Sequence, residues 1–300
     1  LYSLNVHDWS HPEESADAVR RVIELHEEYE VPVEVYLTDT MFQLYVENDP
    51  ELVELMRSSS TVSVSYHVRA PVPYSGNFDW MGLSEMTGKD REKVYLDYEE
   101  HALDLETGQT TDEPGGYEYL KEMIGYAPRI VGVSEIFDQE VGGDVLASVY
   151  QNKGVQFFVA NTHSVKPGDD AFGVWLRPQD YDLKLYEYAT KGQLDPEKIF
   201  AEALEEHVDE EVYTIGVKYH ENNFYHDENP WFPVFWEEYR KKMGVKSPPY
   251  DLSLALDNFR TDKEISEHWE LYEASLQYIA DHPEEYRALN AVGLLEEFEW

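Results

Sequence analysis

The chain has no cysteine among its 300 residues. Disulfides and thiolate metal sites are therefore excluded, and any metal ion would have to sit on His, Asp or Glu side chains. Cations are also scarce: 23 Lys and Arg stand against 62 Asp and Glu, a formal net charge of −39. Such a surface repels nucleic-acid phosphates and anionic lipid, because binding either needs clustered cations that displace counterions. No run of about eighteen apolar residues occurs, so no membrane-spanning helix is expected. A Gly-rich phosphate loop, a GxSxG elbow and an HExxH pair are missing too, which leaves nucleotide phosphoryl transfer, serine-elbow hydrolysis and zincin chemistry without their usual residues.

What the sequence does have is apolar and aromatic bulk. Hydrophobic residues make up 42%, with 23 Tyr, 12 Phe and 7 Trp, enough to fill a large core and to line a pocket. The acidity suits a protein kept soluble in a salty medium, where screening shortens the range of self-repulsion, and equally an acidic enzyme from an ordinary one. The first residue is Leu1 and not methionine; this suits a trimmed secretory precursor, so secretion or periplasmic export is the expectation, with a cytoplasmic location left open.

Elements of strand and helix alternate along the chain. LYSLNVHDWSHPEES opens with a strand through Leu4 to Val6, and Ser10, Pro12 and Glu13 then read as a helix start, followed by Val19, Val22, Ile23 and His26 at helical spacing. VPVEVYLTDTM (31–41) is a second strand ending at Asp39, with a helix to follow through ELVELMRSS, and TVSVSYHVRAPVPY (61–74) is a third ending at His67 and Arg69. RIVGVSEIFD (129–138) ends at Glu135, VQFFVANTHS (155–164) at Asn161 and His163, and VYTIGVKYHENNFY (212–225) at His220, Glu221 and Asn223. GGDVLASVYQNKG, DPEKIFAEALEEH and residues 264–290 read as helices, the last an outer one. Strands alternating with helices imply a parallel sheet with helices outside. The expected fold is thus a single α/β domain over residues 1–300, an irregular (β/α) barrel of about seven parallel strands with long loops over the C-terminal face.

In parallel barrels the carboxyl ends of the strands form the site face. Asp8, Asp39, His67, Glu135, His163 and His220 all stand at such ends and would converge on one mouth. The loops YSGNFDWMGL (74–83), ALDLETGQTTDEPGGYEYL (102–120) and HDENPWFPVFWEEY (226–239) are rich in Gly, Pro, Trp and Tyr. Indole and phenol faces stack on the apolar faces of sugar rings, although a loop aromatic more often packs its own loop down. Glu113, in TDEPGGY, belongs first to a turn.

Two chemistries fit these residues. Imidazoles from His67, His163 and His220 with a carboxylate from Asp8 make the ligand set of a catalytic divalent ion with an open water position, and such an ion would acidify water for attack on a carbonyl. Alternatively, Asp8 or Asp39 paired with Glu135 or Glu221 could act on a glycosidic bond without any metal.

SLNVHDW resembles the T/S-x-DD opening motif of the polysaccharide deacetylase family, within the glycoside hydrolase/deacetylase superfamily. ELHEEYEVPVEVYLTDTM is similar to that family's first helix and second strand, SVSYHVRAP falls where it carries its metal-binding histidine motif, and IGVKYHENNF where a late strand brings its catalytic histidine. The resemblance holds over roughly residues 1 to 75 and thins beyond. It implies Asp8 as metal-binding aspartate, His67 as first metal histidine, His220 as general acid toward the leaving oxygen and His7 in the place of the catalytic-base aspartate. The family's second metal histidine would fall at Pro71, so His163 is expected to complete the shell. A divalent metal, zinc by preference, is the implied cofactor, and an oligo- or polysaccharide the implied substrate, deacetylated by the metal-bound water. Trp9, Arg69, Tyr74 and Trp80 are expected to shape the sugar site with the carboxylates Asp39, Glu135 and Glu221. A metal-free glycoside hydrolase and an inactive carbohydrate-binding barrel are the alternatives.

Overall fold

The computed structural model describes residues 1–300 apart from Asn77, 133–142, 160–169, 172–173, 177–180, 206–213, Lys242 and 298–300. In chain order its elements are β1 (Tyr2–Val6), α1 (Pro12–Glu28), β2 (Val33–Leu37), α2 (Asp39–Asn48), α3 (Pro50–Ser58), β3 (Val62–His67), α4 (Gly88–Glu100), β4 (His101–Leu103), β5 (Thr110–Pro114), α5 (Gly116–Ile124), β6 (Ile130–Gly132), α6 (Gly143–Lys153) and β7 (Phe157–Val159). There follow β8 (Asp170–Ala171), β9 (Val174–Leu176), β10 (Tyr181–Lys184), α7 (Leu185–Thr190), α8 (Pro196–Glu205), β11 (Ile215–His220), α9 (Phe232–Phe235), β12 (Trp236–Glu238), β13 (Met243–Val245), α10 (Asp262–Asp281) and α11 (Ala291–Glu297).

The main sheet runs β10-β11-β1-β2-β3-β6-β7-β9-β8, and every pairing along it is parallel except that of β8 with β9. Apart from that terminal pair this is chain order, cyclically permuted. Each crossover therefore steps the same way round the sheet, and right-handed crossovers then put the helices on one face and leave the other to curl inward. This is the irregular (β/α) barrel expected from the alternation of elements. Two antiparallel hairpins, β4 with β5 and β12 with β13, stand outside it.

Strand alternation divides the side chains between two layers. Tyr2, Leu4 and Val6 of β1 are buried in the main core, where Tyr2 meets the ring of His26 edge-on and donates to Ser275 of α10. His26 is a core histidine, its ring nitrogens held by the Val31 carbonyl and the Tyr272 hydroxyl. The other series of β1, Ser3, Asn5 and His7, turns into the barrel. By register Asn5 lies between Tyr36 and His220, Tyr36 lies beside Ser65, and His67 lies beside Gly132. A small apolar cluster of Tyr36, Ile130 and Phe157, joined by Leu295 of α11, fills part of that interior. Over the strands' C-terminal ends, the segment after β3 and the one around α9 meet in a second cluster of Ala70, Phe78, Trp231, Val234, Phe235, Trp236 and Tyr250.

The start of α1 differs from the expectation. His11, not Ser10, is the N-cap, and it makes no side-chain cap; the Ser10 hydroxyl is taken by the Asp8 carboxylate at 2.5 Å. Pro12 does open the helix. The outer helix expected over 264–290 is α10, which ends at Asp281. The loop expected at 102–120 instead holds β4, β5 and the start of α5.

Candidate active site

His7, His67 and His220, from β1, β3 and β11, come together where these strands end. The His7 ring lies 4.9 Å from that of His220 and 5.9 Å from that of His67, centroid to centroid. Arg69 Nε donates to His7 Nδ1 at 3.2 Å. Since Arg has no acceptor, that contact leaves His7 Nδ1 unprotonated, and the ring proton sits on Nε2, 3.0 Å from His220 Nδ1. Burial, then the positive Arg69, then the neighbouring imidazoles hold the His7 pKa well below the usual histidine value, so the ring is neutral.

His67 is fixed by a different partner. Its Nδ1 lies 2.8 Å from the Gly132 carbonyl, which can only accept, so Nδ1 carries the proton. Nε2 is thus a bare lone pair, buried and, among the described residues, without a hydrogen-bond partner. Burial and then Arg69 hold this ring well below its usual pKa as well. Gly132 is a glycine for a steric reason: a Cβ there would stand 2.7 Å from His67 Nδ1.

Beneath His7 lies Glu221, first residue of the short turn that follows β11. One of its oxygens accepts the backbone N–H groups of His7 and Asp8, each at 2.5 Å. The other has no hydrogen-bond partner among the described residues and stands 3.8 Å from His7 Nε2. Full burial, aided by the charge of Asp8, pushes this carboxyl up to about 8 against the pull of its backbone donors, so it is largely protonated at neutral pH.

Walls for these groups come from the loops. A narrow cleft of about 20 Å³ is lined by His7, Trp9, Thr38, Asp39, His67, Arg69 and Trp231, among others, room for about one water molecule below its mouth. The indole of Trp231 packs on the His7 ring at 4.3 Å.

Of the residues expected at the site, His7, His67, Arg69, Trp9 and Asp39 share this cleft, while His220 and Glu221 hold His7 from behind. Asp39 begins α2 instead of ending β2, and its carboxylate is taken by Gln43 and by the backbone N–H groups of Leu103 and Gly116, at 2.8 to 3.3 Å. Burial raises it to about 6. It fastens the β4–β5 excursion to the barrel.

Three expected site residues lie elsewhere. Asp8 is fully buried, and its carboxylate receives the Ser10 N–H and hydroxyl and the Tyr225 hydroxyl and contacts His11 Nδ1 at 3.2 Å. It follows His7 and therefore takes the outward side of the strand. Tyr74 is buried in the core and donates to Glu99 at 2.8 Å, and Trp80 donates its indole N–H to the Pro71 carbonyl at 2.7 Å within the loop cluster. Glu135 and His163, with Asn161, lie outside the described residues. Among the described residues no three His, Asp or Glu side chains are grouped to hold a metal ion. One expected ligand, His67 Nε2, stands free; Asp8 is spent on other partners, and the Arg69 cation beside the histidines opposes a second positive charge. The described residues therefore do not fit the expected metal shell.

Trp231 and Asn5 were not singled out from sequence. Trp231 had a signal in its aromatic-rich loop. Asn5, whose amide nitrogen lies 3.4 Å from His220 Nε2, had only its place two residues before His7 on the same strand face.

No family model and no curated protein matches the chain. Among solved structures it is similar to 4-alpha-glucanotransferase from Thermococcus litoralis, with TM-score 0.54 and 13% identity over 99% of this chain. The likeness is one of fold, and it spans 40% of the glucanotransferase's length. A protein from Mycobacterium smegmatis named as a polysaccharide deacetylase aligns with TM-score 0.37 and 14% identity, over 58% of this chain and 55% of its own.

Proposed function

We propose that the chain is a carbohydrate-active hydrolase working by acid–base catalysis in the cleft of His7, His67 and Arg69. The carrying observation is His67: a neutral imidazole whose tautomer is dictated by the Gly132 carbonyl, leaving the Nε2 lone pair free at the cleft. Such a group takes a proton from water as the water attacks. The His67 imidazolium so formed returns that proton to the leaving oxygen, while Arg69 and His220 hold the His7 ring, and Glu221 its backbone, as the wall of the cleft. The half-buried Trp9 offers a flat apolar face for a sugar ring. The barrel shared with a glucanotransferase agrees with a glycosidic bond as the target, although one fold hosts many chemistries.

Metal-dependent deacetylation is the second reading, and one observation favours it. A histidine whose Nδ1–H rests on a carbonyl is also how metal ligands are commonly oriented. One assay separates the two. Incubated with neutral and acetylated oligosaccharides, the chain should release reducing ends at a rate unchanged by a chelator, and His67→Ala should lower that rate at least about a hundredfold. Acetate release abolished by chelation would overturn the acid–base reading for the metal one, and saturable binding with neither product would mark an inactive carbohydrate-binding barrel.

A further inference from the structure

Among the described residues Arg69 forms no ion pair, in a chain with 62 carboxylates and 23 Lys and Arg. Arg20, Arg57, Arg240, Arg260 and Arg287 each sit on an Asp or Glu. Arg21 lies over the Trp269 ring, and Arg91 donates to the Leu83 and Ser84 carbonyls. Arg69, among the described residues, has a single hydrogen bond, from Nε to the neutral His7. Among the described residues its terminal nitrogens have no hydrogen-bond partner, and the residue lines the cleft.

Leaving a half-buried guanidinium unpaired is costly unless something completes it. The neighbouring carboxyls do not. Glu221 makes no ion pair with Arg69 and, pushed up to about 8 by burial, is largely neutral, while Asp39 is spent on Gln43, Leu103 and Gly116. The free N–H groups form a planar fork, the geometry that takes a carboxylate with two parallel hydrogen bonds. The cleft is also lined by the half-buried indole of Trp9 and by Thr40, suited to the edge of a ring with hydroxyl groups.

The geometry points to an acidic saccharide, a chain containing hexuronate units, as the ligand at the mouth of this cleft, a carboxylate reaching in to pair with the guanidinium of Arg69. The assignment rests on the carbohydrate reading of the site and narrows it. The strongly negative surface does not conflict with it, since at molar salt the reach of surface charge shrinks to about 3 Å, while the contact at Arg69 lies within the cleft.

The test is calorimetric titration of the full chain with hexuronate oligosaccharides, with their methyl esters and with neutral hexose oligosaccharides, at one fixed salt concentration. The acid should bind at least about tenfold tighter than its ester, the discrimination expected of a charge-assisted pair. Arg69→Gln should bind acid and ester alike, with ester affinity little changed, and Arg69→Lys should keep part of the preference because it retains charge but not the fork. Circular dichroism checks that both variants fold, and if Arg69→Gln does not, a preference undiminished in Arg69→Lys counts against the fork. Wild-type binding of acid and ester with equal affinity would overturn the assignment and leave the carbohydrate reading standing. Absence of binding by all three sugars would remove both.

Discussion

Glu221 holds His7 from two sides: one carboxyl oxygen accepts the His7 backbone N–H at 2.5 Å, and the other stands 3.8 Å from the ring Nε2. Burial keeps the proton on this carboxyl up to about pH 8, against an ordinary value of 4.5. Between those limits the folded chain binds one proton more than the unfolded chain. The stability from that proton is fully present below about pH 4.5 and is lost as pH rises through about 8. At about 1.4 kcal/mol per pH unit, the loss is at most on the order of 5 kcal/mol. Glu221→Gln keeps the accepting oxygen and cannot ionise, so its melting temperature should fall less than that of wild type between pH 5 and 9. Parallel profiles for the two proteins would refute the raised pKa.

Gly132 and His67 make a second test. A methyl at Gly132 would press on His67 Nδ1 at 2.7 Å and on the Tyr36 ring at 3.2 Å. Gly132→Ala should cost about 1–3 kcal/mol through overpacking. It should also lower hydrolysis by at least about tenfold, because turning His67 off the carbonyl disturbs its tautomer. A variant destabilised to that extent but fully active would show that His67 orientation does not matter to the chemistry.

Much of the barrel was legible because its strands obey simple rules. The runs giving β1, β2, β3 and β11 are apolar or β-branched, end in polar residues, and are followed by helices or turns, so their ends and the meeting of His7, His67 and His220 follow from topology. Orientation at those ends was not legible from residue type. Asp8 is as polar as His7, but one step along a strand reverses the face, and Ser10, His11 and Tyr225 are close enough to claim it. Asp39 was placed at a strand end because a helix's first residue and a strand's last are neighbours here, with Thr38 as the cap between them. The hairpin β4–β5 has little apolar alternation; four of its residues, Thr111, Asp112, Glu113 and Pro114, are exposed strand positions, and it is held by contacts from Asp39 that lie far away in sequence.

Tyr74 shows how a loop aromatic becomes core. Its hydroxyl and that of Tyr150 both donate to buried Glu99, whose carboxyl burial pushes up to about 7. Tyr74→Phe should cost about 1–2 kcal/mol in denaturant unfolding, the loss of one donor to a buried acceptor, and should leave saccharide affinity unchanged. Weakened sugar binding with unchanged stability would return Tyr74 to the site.

The two cleft imidazoles predict an unusual pH profile. Burial first, and the positive Arg69 second, hold His7 and His67 well below 6.5. His67, the base, therefore stays unprotonated as pH falls through the range where a solvated histidine would be lost, and His7 stays neutral beside it. Measured between pH 5 and 8, kcat/KM should show no acid limb near 6.5. Removing the guanidinium in Arg69→Gln takes away one cause of the depression and leaves burial, so the limb should move upward toward neutrality from its low wild-type position. The order of the two limbs is the decisive reading, because overall loss of rate in Arg69→Gln could arise from weaker substrate binding alone. A wild-type limb at 6.5 that Arg69→Gln does not move would mean that neither buried imidazole is the base.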